Sequence, residues 1–370
     1  MRNKKSPLIP SDVTSEGKEK GDFLNARRKP CHTIKLKGKS MKTICIAGFG
    51  AVCENAHIPV IKELRENYIL KGIFDVDKER RKKASEICGV NVYDDLLQML
   101  EKEKPNCLVI TTPPSSHKEI ILRAIERGID VLCEKPLVIN LEDFKEIQKF
   151  VNKTLRIVYT VHNWIYSPHI IEIKKFIDEI GSVRRINWET LRKKPSQSAS
   201  TNWRVDPKIS GGGIIFDHGW HVIYIMRSFI GKSFTDVNPF FLMNENGIDE
   251  VADFRIEYGD VVSDIHLSWR SPIRKNIMTA YGDGGVLVFD DEKIYIYKEN
   301  GEVKEYFFNE KMSQSSAHPI WTKNVYVDFY NSFKNREKFE ENFDEALECI
   351  MIIEKAYEKY KQRKTQKLRN

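Results

Sequence analysis

The sequence predicts an α/β chain in two parts: a parallel sheet with helices on both faces, then an α+β part with a large open antiparallel sheet. Three observations predict it. Short β-branched runs alternate with amphipathic helices from residue 43 to 164, a glycine-rich turn sits where the first strand meets the first helix, and strand follows strand from 234 to 308.

"TICIAGFG" (43–50) is an apolar run closing on glycines, hence a buried strand. "ENAHIPVIKELREN" (54–67) has apolar residues at helical spacing, and "YILKGIFD" (68–75) is the next strand. Helices over 78–88 and 94–104 flank the short strand "NVY". "CLVITTPP" (107–114) is a strand, and the helix over 117–128 stops at Gly128. "DVLCEKP" (130–136), a helix over 141–153 and "RIVYTVHNW" (156–164) complete the first half. A helix over 168–180, the strand "SVRRINWETLRKK" and a glycine-led helix ending near 230 then lead into hairpins, with turns such as Glu-Asn-Gly at 299–301. Helices over 323–335 and 342–362 close the chain. The expected organisation is a disordered basic extension (1–41), a parallel-sheet domain (42–165) and a second domain (166–370).

A length of 370 residues with 41% hydrophobic content supports two packed cores. The formal net charge of +7 resides wholly in the first forty residues, so the remainder is neutral overall and no chain-wide basic face for nucleic acid is implied. That polar extension reads as disordered, with an organelle-targeting or nucleic-acid arm as its alternative; Met41 is also a candidate translation start. It lacks the apolar core of a secretory signal, and no run of about 18 apolar residues predicts a membrane span. Seven scattered cysteines without a CxxC pair argue for free thiols in a reducing cytoplasm.

"GFGAVC" (48–53) carries the first motif with chemistry in it. Gly48 makes the tight turn, Gly50 lets the backbone approach a pyrophosphate, and Phe49, Ala51 and Val52 complete a loop that opens a helix N-terminus. Cys53 stands in place of the third glycine of the fingerprint. Asp75 ends the second strand 22 positions beyond Cys53, the spacing of an acid that accepts ribose hydroxyls, so NAD is expected. Arg80 and Arg81 follow and keep NADP as the alternative.

"TTPPSSH" (111–117), "CEKP" (133–136) and "NWRVDPKISGGGIIFDHGWH" (202–221) resemble, in order, motifs of the glucose–fructose oxidoreductase/inositol dehydrogenase/rhizopine-catabolism family. The resemblance runs from about 42 to 365 and implies a Rossmann domain, NAD(P) and hydride transfer to or from a polyol, sugar or nucleotide-sugar. It places Lys135 near the nicotinamide and the reacting hydroxyl, and Asp217 and His221 in the substrate pocket. Thr112, Pro113, His117 and Glu134 are further expected at the cofactor, and Asn163, Trp203 and Arg204 at the substrate. Two positions depart from the family pattern: Trp164 and Ile165 replace a common arginine, and Tyr224 replaces an acid three residues after His221.

On a helix Asp217 and His221 are one turn apart, so the expectation is that Asp217 orients His221 while His221 handles the hydroxyl proton and Lys135 stabilises alkoxide charge. His218 points about 100° away and reads as structural, while His57 and His117 read as loop or helix-start residues rather than catalysts. Asp217, His218 and His221 also have metal-ligand spacing, but no further Cys/His cluster accompanies them, and none is assigned. A surface cation–π pair is the alternative for Trp203 and Arg204. The competing functions are a glycosidase using NAD transiently and a catalytically silent dinucleotide-binding regulator. Aromatic and aliphatic residues in "DIHLSW" and "IYIYKE" predict a homodimer or homotetramer through the C-terminal sheet.

Overall fold

The structure, a computed structural model, describes residues 41–195, 203–315 and 317–367; the basic extension, apart from Met41, and Cys31 lie outside the described residues. The first half runs β1 (Lys42–Ala47), α1 (Ile58–Glu63), β2 (Tyr68–Phe74), α2 (Lys78–Cys88), β3 (Asn91–Tyr93), α3 (Leu96–Glu103), β4 (Cys107–Ile110), α4 (His117–Ile125), β5 (Asp130–Cys133), α5 (Leu141–Thr154) and β6 (Val158–Thr160). The strands form one parallel sheet in the order β3-β2-β1-β4-β5-β6, which reverses direction of winding between β1 and β4. In such sheets ligands bind at that switch point, beyond the carboxyl ends of the strands. Both faces are covered, so β4 reads Cys-Leu-Val-Ile with every side chain buried.

The second half adds α6 (Pro168–Phe176), β7 (Val183–Lys193), α7 (Pro207–Ser210), α8 (Trp220–Ile230), β8 (Asp236–Met243), β9 (Asp249–Tyr258), β10 (Val261–Ser268), β11 (Arg270–Gly282), β12 (Gly285–Asp290), β13 (Lys293–Lys298), β14 (Val303–Phe307), α9 (Pro319–Ser332) and α10 (Arg336–Lys367). Its sheet has the order β14-β13-β12-β11-β7-β10-β9-β8. The antiparallel expectation needs one correction: β10 pairs parallel to β7, because β7 enters the sheet centre from the first half rather than from a hairpin. On the inner face α10 packs on β8, and the turn before α8 packs on β10.

Two further expectations change. The closing helices return to the first half: α9 packs on α1, α10 on α5 and β6, and the Tyr326 hydroxyl lies 2.9 Å from His57 Nδ1. The outer sheet face is also less apolar than expected, because period-two alternation turns Asp264 and His266 of β10 outward while Ile265 and Leu267 point in. There Arg185 and Arg255 pair with Asp264, and His266 with Asp253. Exposed aromatics remain at Phe240, Tyr281 and Tyr297. The six described cysteines are free thiols, five of them buried.

Candidate functional site

The glycine turn is built from both sides. Gly48 has φ +94°, and a Cβ there would meet Thr112 at 2.9 Å, so only glycine closes the turn. Its N–H donates to the Phe74 carbonyl (2.7 Å), and its carbonyl accepts from the Thr111 hydroxyl (2.6 Å). Gly50 is different: a Cβ there meets nothing within 4 Å. The open space lies over the first amides of the helix that begins at Ala51 and Val52, which have no partner within the helix and favour an anion. The loop therefore fits a pyrophosphate.

Asp75 is buried at the end of β2, with Oδ2 accepting from Phe49 N (2.7 Å) and Oδ1 from Asp77 N (2.8 Å). It ties the glycine loop to the strand end, and each oxygen keeps a lone pair for a ribose hydroxyl. Of the two arginines considered for a phosphate, Arg81 is held by the carbonyls of Asp75 and Val76 (both 2.9 Å), while Arg80 is exposed.

Half-buried Thr112 and Pro113 follow β4 at the switch point, and the Ser116 hydroxyl donates to Thr112 Oγ1 (2.7 Å). His117 requires correction as a cofactor ligand. Its ring is fully buried, and its nitrogens lie 2.9 Å from the carbonyls of Pro136 and Thr112, so it ties the two motif loops together. Glu134 faces His57 Nε2 (2.9 Å) through Oε1 and accepts from Lys135 N (3.2 Å) through Oε2. Burial pulls its carboxyl pKa up, but the His57 hydrogen bond and charge outweigh that, and the net shift is downward.

Lys135 crosses to the second half. Its ammonium donates to the Asp217 carbonyl (2.6 Å) and to Asp217 Oδ1 (3.2 Å). Asp217 lies in a wide π turn, Ile215–Gly219, that precedes α8. The glycines before it explain the approach: Gly213 N and Ile215 N donate to the buried Asp249 carboxylate (2.7 and 2.9 Å), and a Cβ on Gly213 would collide with the Asp249 carbonyl. Burial pulls the Asp217 carboxyl up, yet Lys135, His218 and Arg204 together hold it well below the ordinary range.

The expected pairing of Asp217 with His221 is not formed. Asp217 Oδ2 stands 3.6 Å from His218 Nε2, and its other oxygen is held by Lys135. His221 instead has Nδ1 2.7 Å from the Tyr224 hydroxyl, because Tyr224 lies three residues on along the same helix face. That hydroxyl accepts from Trp164 N (3.1 Å), and the Trp164 indole stacks on the His221 ring at 4.4 Å and 8°. The two departures from the family pattern thus form the wall that holds His221. No hydrogen bond to His221 Nε2 is formed among the described residues. Burial, reinforced by Lys135, drives the His221 pKa well below its usual value, and burial pushes His218 down to about 3. His218 Nδ1 is buried without a partner.

Asn163 begins the turn that carries Trp164. Arg204 does form a cation–π contact with Trp203 (4.4 Å), and it also acts electrostatically on Asp217. Residues not singled out from sequence join them. Arg192 is buried at the end of β7, 6.0 Å from the Trp164 ring, and Arg274 lies on the facing strand. Arg192 was legible in one respect: it continues the buried alternation Ile186, Trp188, Thr190. Arg274 had no comparable signal. Among the described residues no group of three or more His, Cys, Asp or Glu is arranged to hold a metal ion, and no helix is long and apolar enough to cross a membrane.

Comparison with known proteins bears on the family and the fold. Residues 42–162 match the oxidoreductase family model described as the NAD-binding Rossmann fold of GFO/IDH/MocA, and residues 170–288 match the GFO/IDH/MocA C-terminal domain. An uncharacterised protein of Saccharomyces cerevisiae is 28% identical over 192 residues, 50% of this chain and 55% of that protein. Glucose-6-phosphate 3-dehydrogenase of Bacillus subtilis is 23% identical over 244 residues, 65% of this chain and 68% of its own. The chain spans about half the length of the yeast protein and of several other curated relatives. In structure, an oxidoreductase domain protein from Kribbella flavida has a TM-score of 0.75 at 17% identity, covering 88% of this chain and 98% of that one. Levoglucosan dehydrogenase, solved with NADH and levoglucosan, has a TM-score of 0.74 at 18% identity, covering 87% and 98%. With both of its halves matched, the chain belongs to the GFO/IDH/MocA oxidoreductase family and carries that family's NAD-binding Rossmann fold.

Proposed function

We propose that the protein is an NAD-dependent oxidoreductase that interconverts a secondary hydroxyl and a ketone on a polyol, sugar or nucleotide-sugar. The observation that carries this reading is the meeting of Lys135, from the dinucleotide-binding half, with Asp217 and the His221–Tyr224 pair of the second half. Gly48, Phe49, Gly50, Ala51, Val52 and Asp75 would hold NAD, with Thr112, Pro113 and Glu134 beside it; the nicotinamide supplies the hydride acceptor.

The ammonium of Lys135 has three N–H groups, and two are directed at Asp217. The third is available to a substrate oxygen, where it stabilises alkoxide charge. His221 exchanges the hydroxyl proton through Nε2. Because burial depresses its proton affinity, the imidazole is neutral near pH 7 and can accept a proton. Tyr224 serves both tautomers: its oxygen accepts from Nδ1–H when Nε2 is the base, and its hydroxyl donates to Nδ1 when Nε2 carries the hydrogen. Asp217 acts on Lys135 and His218 rather than on His221. Asp75 favours NAD over NADP, since a 2′-phosphate would approach a carboxylate. A homodimer or homotetramer through the outer sheet face, with Phe240, Tyr281 and Tyr297 at the contact, completes the proposal.

The test is a dehydrogenase screen with NAD and NADP over inositols, sugars and UDP-sugars. NADH formed in proportion to a ketone product supports the reading. Glycosidic cleavage without net NADH, or cofactor binding with no turnover of any member, contradicts it.

A further inference from the structure

The site holds more positive charge than proton and hydride transfer call for. Arg192 is 2% exposed, yet no carboxylate pairs with it: its guanidinium donates to the carbonyls of Leu191 and Lys275 and to Asn276 Oδ1, each at 2.8 Å. Its Nε and the Asn276 amide nitrogen are buried with no partner. Arg274, solvent-accessible at its end of β11, is held by the carbonyls of Ser313 and Ser315, again not by an acid. Arg204 rests on Trp203. Lys135 makes the fourth cation.

Against these stand three carboxylates, of which Glu134, beside Lys135, is taken up by His57 (2.9 Å). Asp217 is engaged by Lys135 and His218. Asp291 is buried and accepts from Asn276 N (3.2 Å), Ser313 N (3.1 Å) and Ser313 Oγ (2.6 Å). The imbalance is felt by the groups themselves. Burial and then Arg274 press the Arg192 pKa down to about 9, and the same pair of causes takes His318 down to about 4. A buried cation without a counter-charge is costly, and a site that keeps one is suited to an anion that arrives with the ligand.

We infer that the molecule oxidised or reduced here carries an anionic group, a carboxylate or a phosphate ester, seated against Arg274 and Arg204 in the field of the buried Arg192. The inference rests on the oxidoreductase reading. It divides the site in two: Lys135 and His221 serve the reacting hydroxyl, and the arginines serve the charge. Planar guanidinium groups suit both kinds of anion through paired N–H donors.

The test titrates the NAD-loaded protein by calorimetry with glucose, glucuronate, glucose 6-phosphate and inorganic phosphate, and records NADH formation with the three sugars. Hydrogen bonds to charged groups predict that an anionic sugar binds about 10- to 100-fold tighter than glucose. Arg274→Gln and Arg204→Gln, both at solvent-accessible side chains, are expected to lose about 10-fold in affinity for that anion and to lose less for glucose. Whether glucuronate or glucose 6-phosphate gains more identifies the anion. Equal affinity for glucose and both anionic sugars overturns the inference, as does anion binding unaffected by either arginine variant, or no binding of any anion. Turnover indifferent to charge overturns it while leaving the oxidoreductase reading intact. Arginine-dependent anion binding with no NADH from any sugar retains the anion site and counts against that reading.

Discussion

Removing one oxygen, Tyr224→Phe, separates the positioning of His221 from its chemistry. The hydroxyl lies 2.7 Å from His221 Nδ1 and 3.1 Å from Trp164 N, and both neighbours are buried. Phenylalanine keeps the ring and its stacking on His162 at 4.3 Å but leaves two buried polar groups without a partner. At about 1–3 kcal/mol each, the loss of stability is about 2–6 kcal/mol, seen as a lower urea midpoint at unchanged m-value. The catalytic effect follows from orientation. Without Tyr224 the imidazole loses its one protein hydrogen bond and turns on its Trp164 face, so kcat falls by about 10-fold or more, short of the ~10²–10⁴-fold that removal of a general acid–base group costs. KM and NAD affinity are expected to hold, since neither the arginines nor the 48–53 loop is touched. Steady-state kinetics on the best substrate of the screen, with calorimetry for NAD, read the split. A variant that loses stability while keeping kcat would show that Tyr224 is packing alone, and the positioning argument would fail.

Four further outcomes are expected. His221→Ala lowers kcat by ~10²–10⁴-fold with NAD affinity unchanged, whereas His218→Ala costs much less; the reverse ranking, measured on the same substrate, would assign proton transfer to the wrong imidazole. Asp75→Ala narrows or reverses the preference for NAD, measured as the ratio of kcat/KM for the two cofactors, and tighter NADP binding by the unmodified protein would refute its basis. Acid should destabilise the fold early, because burial lowers the pKa of His117, His169, His218, His221 and His318. The unfolded chain then takes up protons near pH 6.5 that the folded one refuses, so stability is full above that pH and declines below it, by up to about 1 kcal/mol per histidine by pH 5.5; a urea midpoint flat from pH 7.5 to 5.5 would contradict this. Sedimentation at micromolar concentration should give the mass of two or four chains, and a clean monomer would refute assembly through the sheet.

Much of the first half was legible because both of its signals are local. Continuous apolar runs mark strands buried on two faces, and Gly48 and Asp75 occupy the strand ends that the motif spacing assigns to them. The second half was legible as strands but not in its order: the parallel β7–β10 pair depends on where a distant strand inserts, which no turn sequence encodes. The site shows the same division. Lys135, Asp217 and His221 were singled out through motifs, yet their pairing was not, because helical spacing alone does not say that Lys135 arrives from another domain and takes up Asp217. Tyr224 and Trp164 were visible only as departures from a pattern, and their shared hydrogen bond and stacking on His221 exist only in three dimensions. Arg192 followed a readable alternation, whereas Arg274 sits beside an irregularity in the β7–β11 register between Arg270 and Lys275, where alternation ceases to be a guide.

The central claim is that hydride passes between substrate and nicotinamide at the place where Lys135 meets Asp217. Its most direct test is transfer of label: the purified protein is incubated with NAD and a substrate deuterated at the reacting carbon, and the nicotinamide is examined by mass spectrometry, for the unmodified chain and for Lys135→Ala. The account predicts one deuterium in the NADH formed by the unmodified protein and label transfer slowed by ~10²-fold or more in the variant, with NAD still bound. Unlabelled NADH, or equal transfer rates in the two proteins, would contradict it.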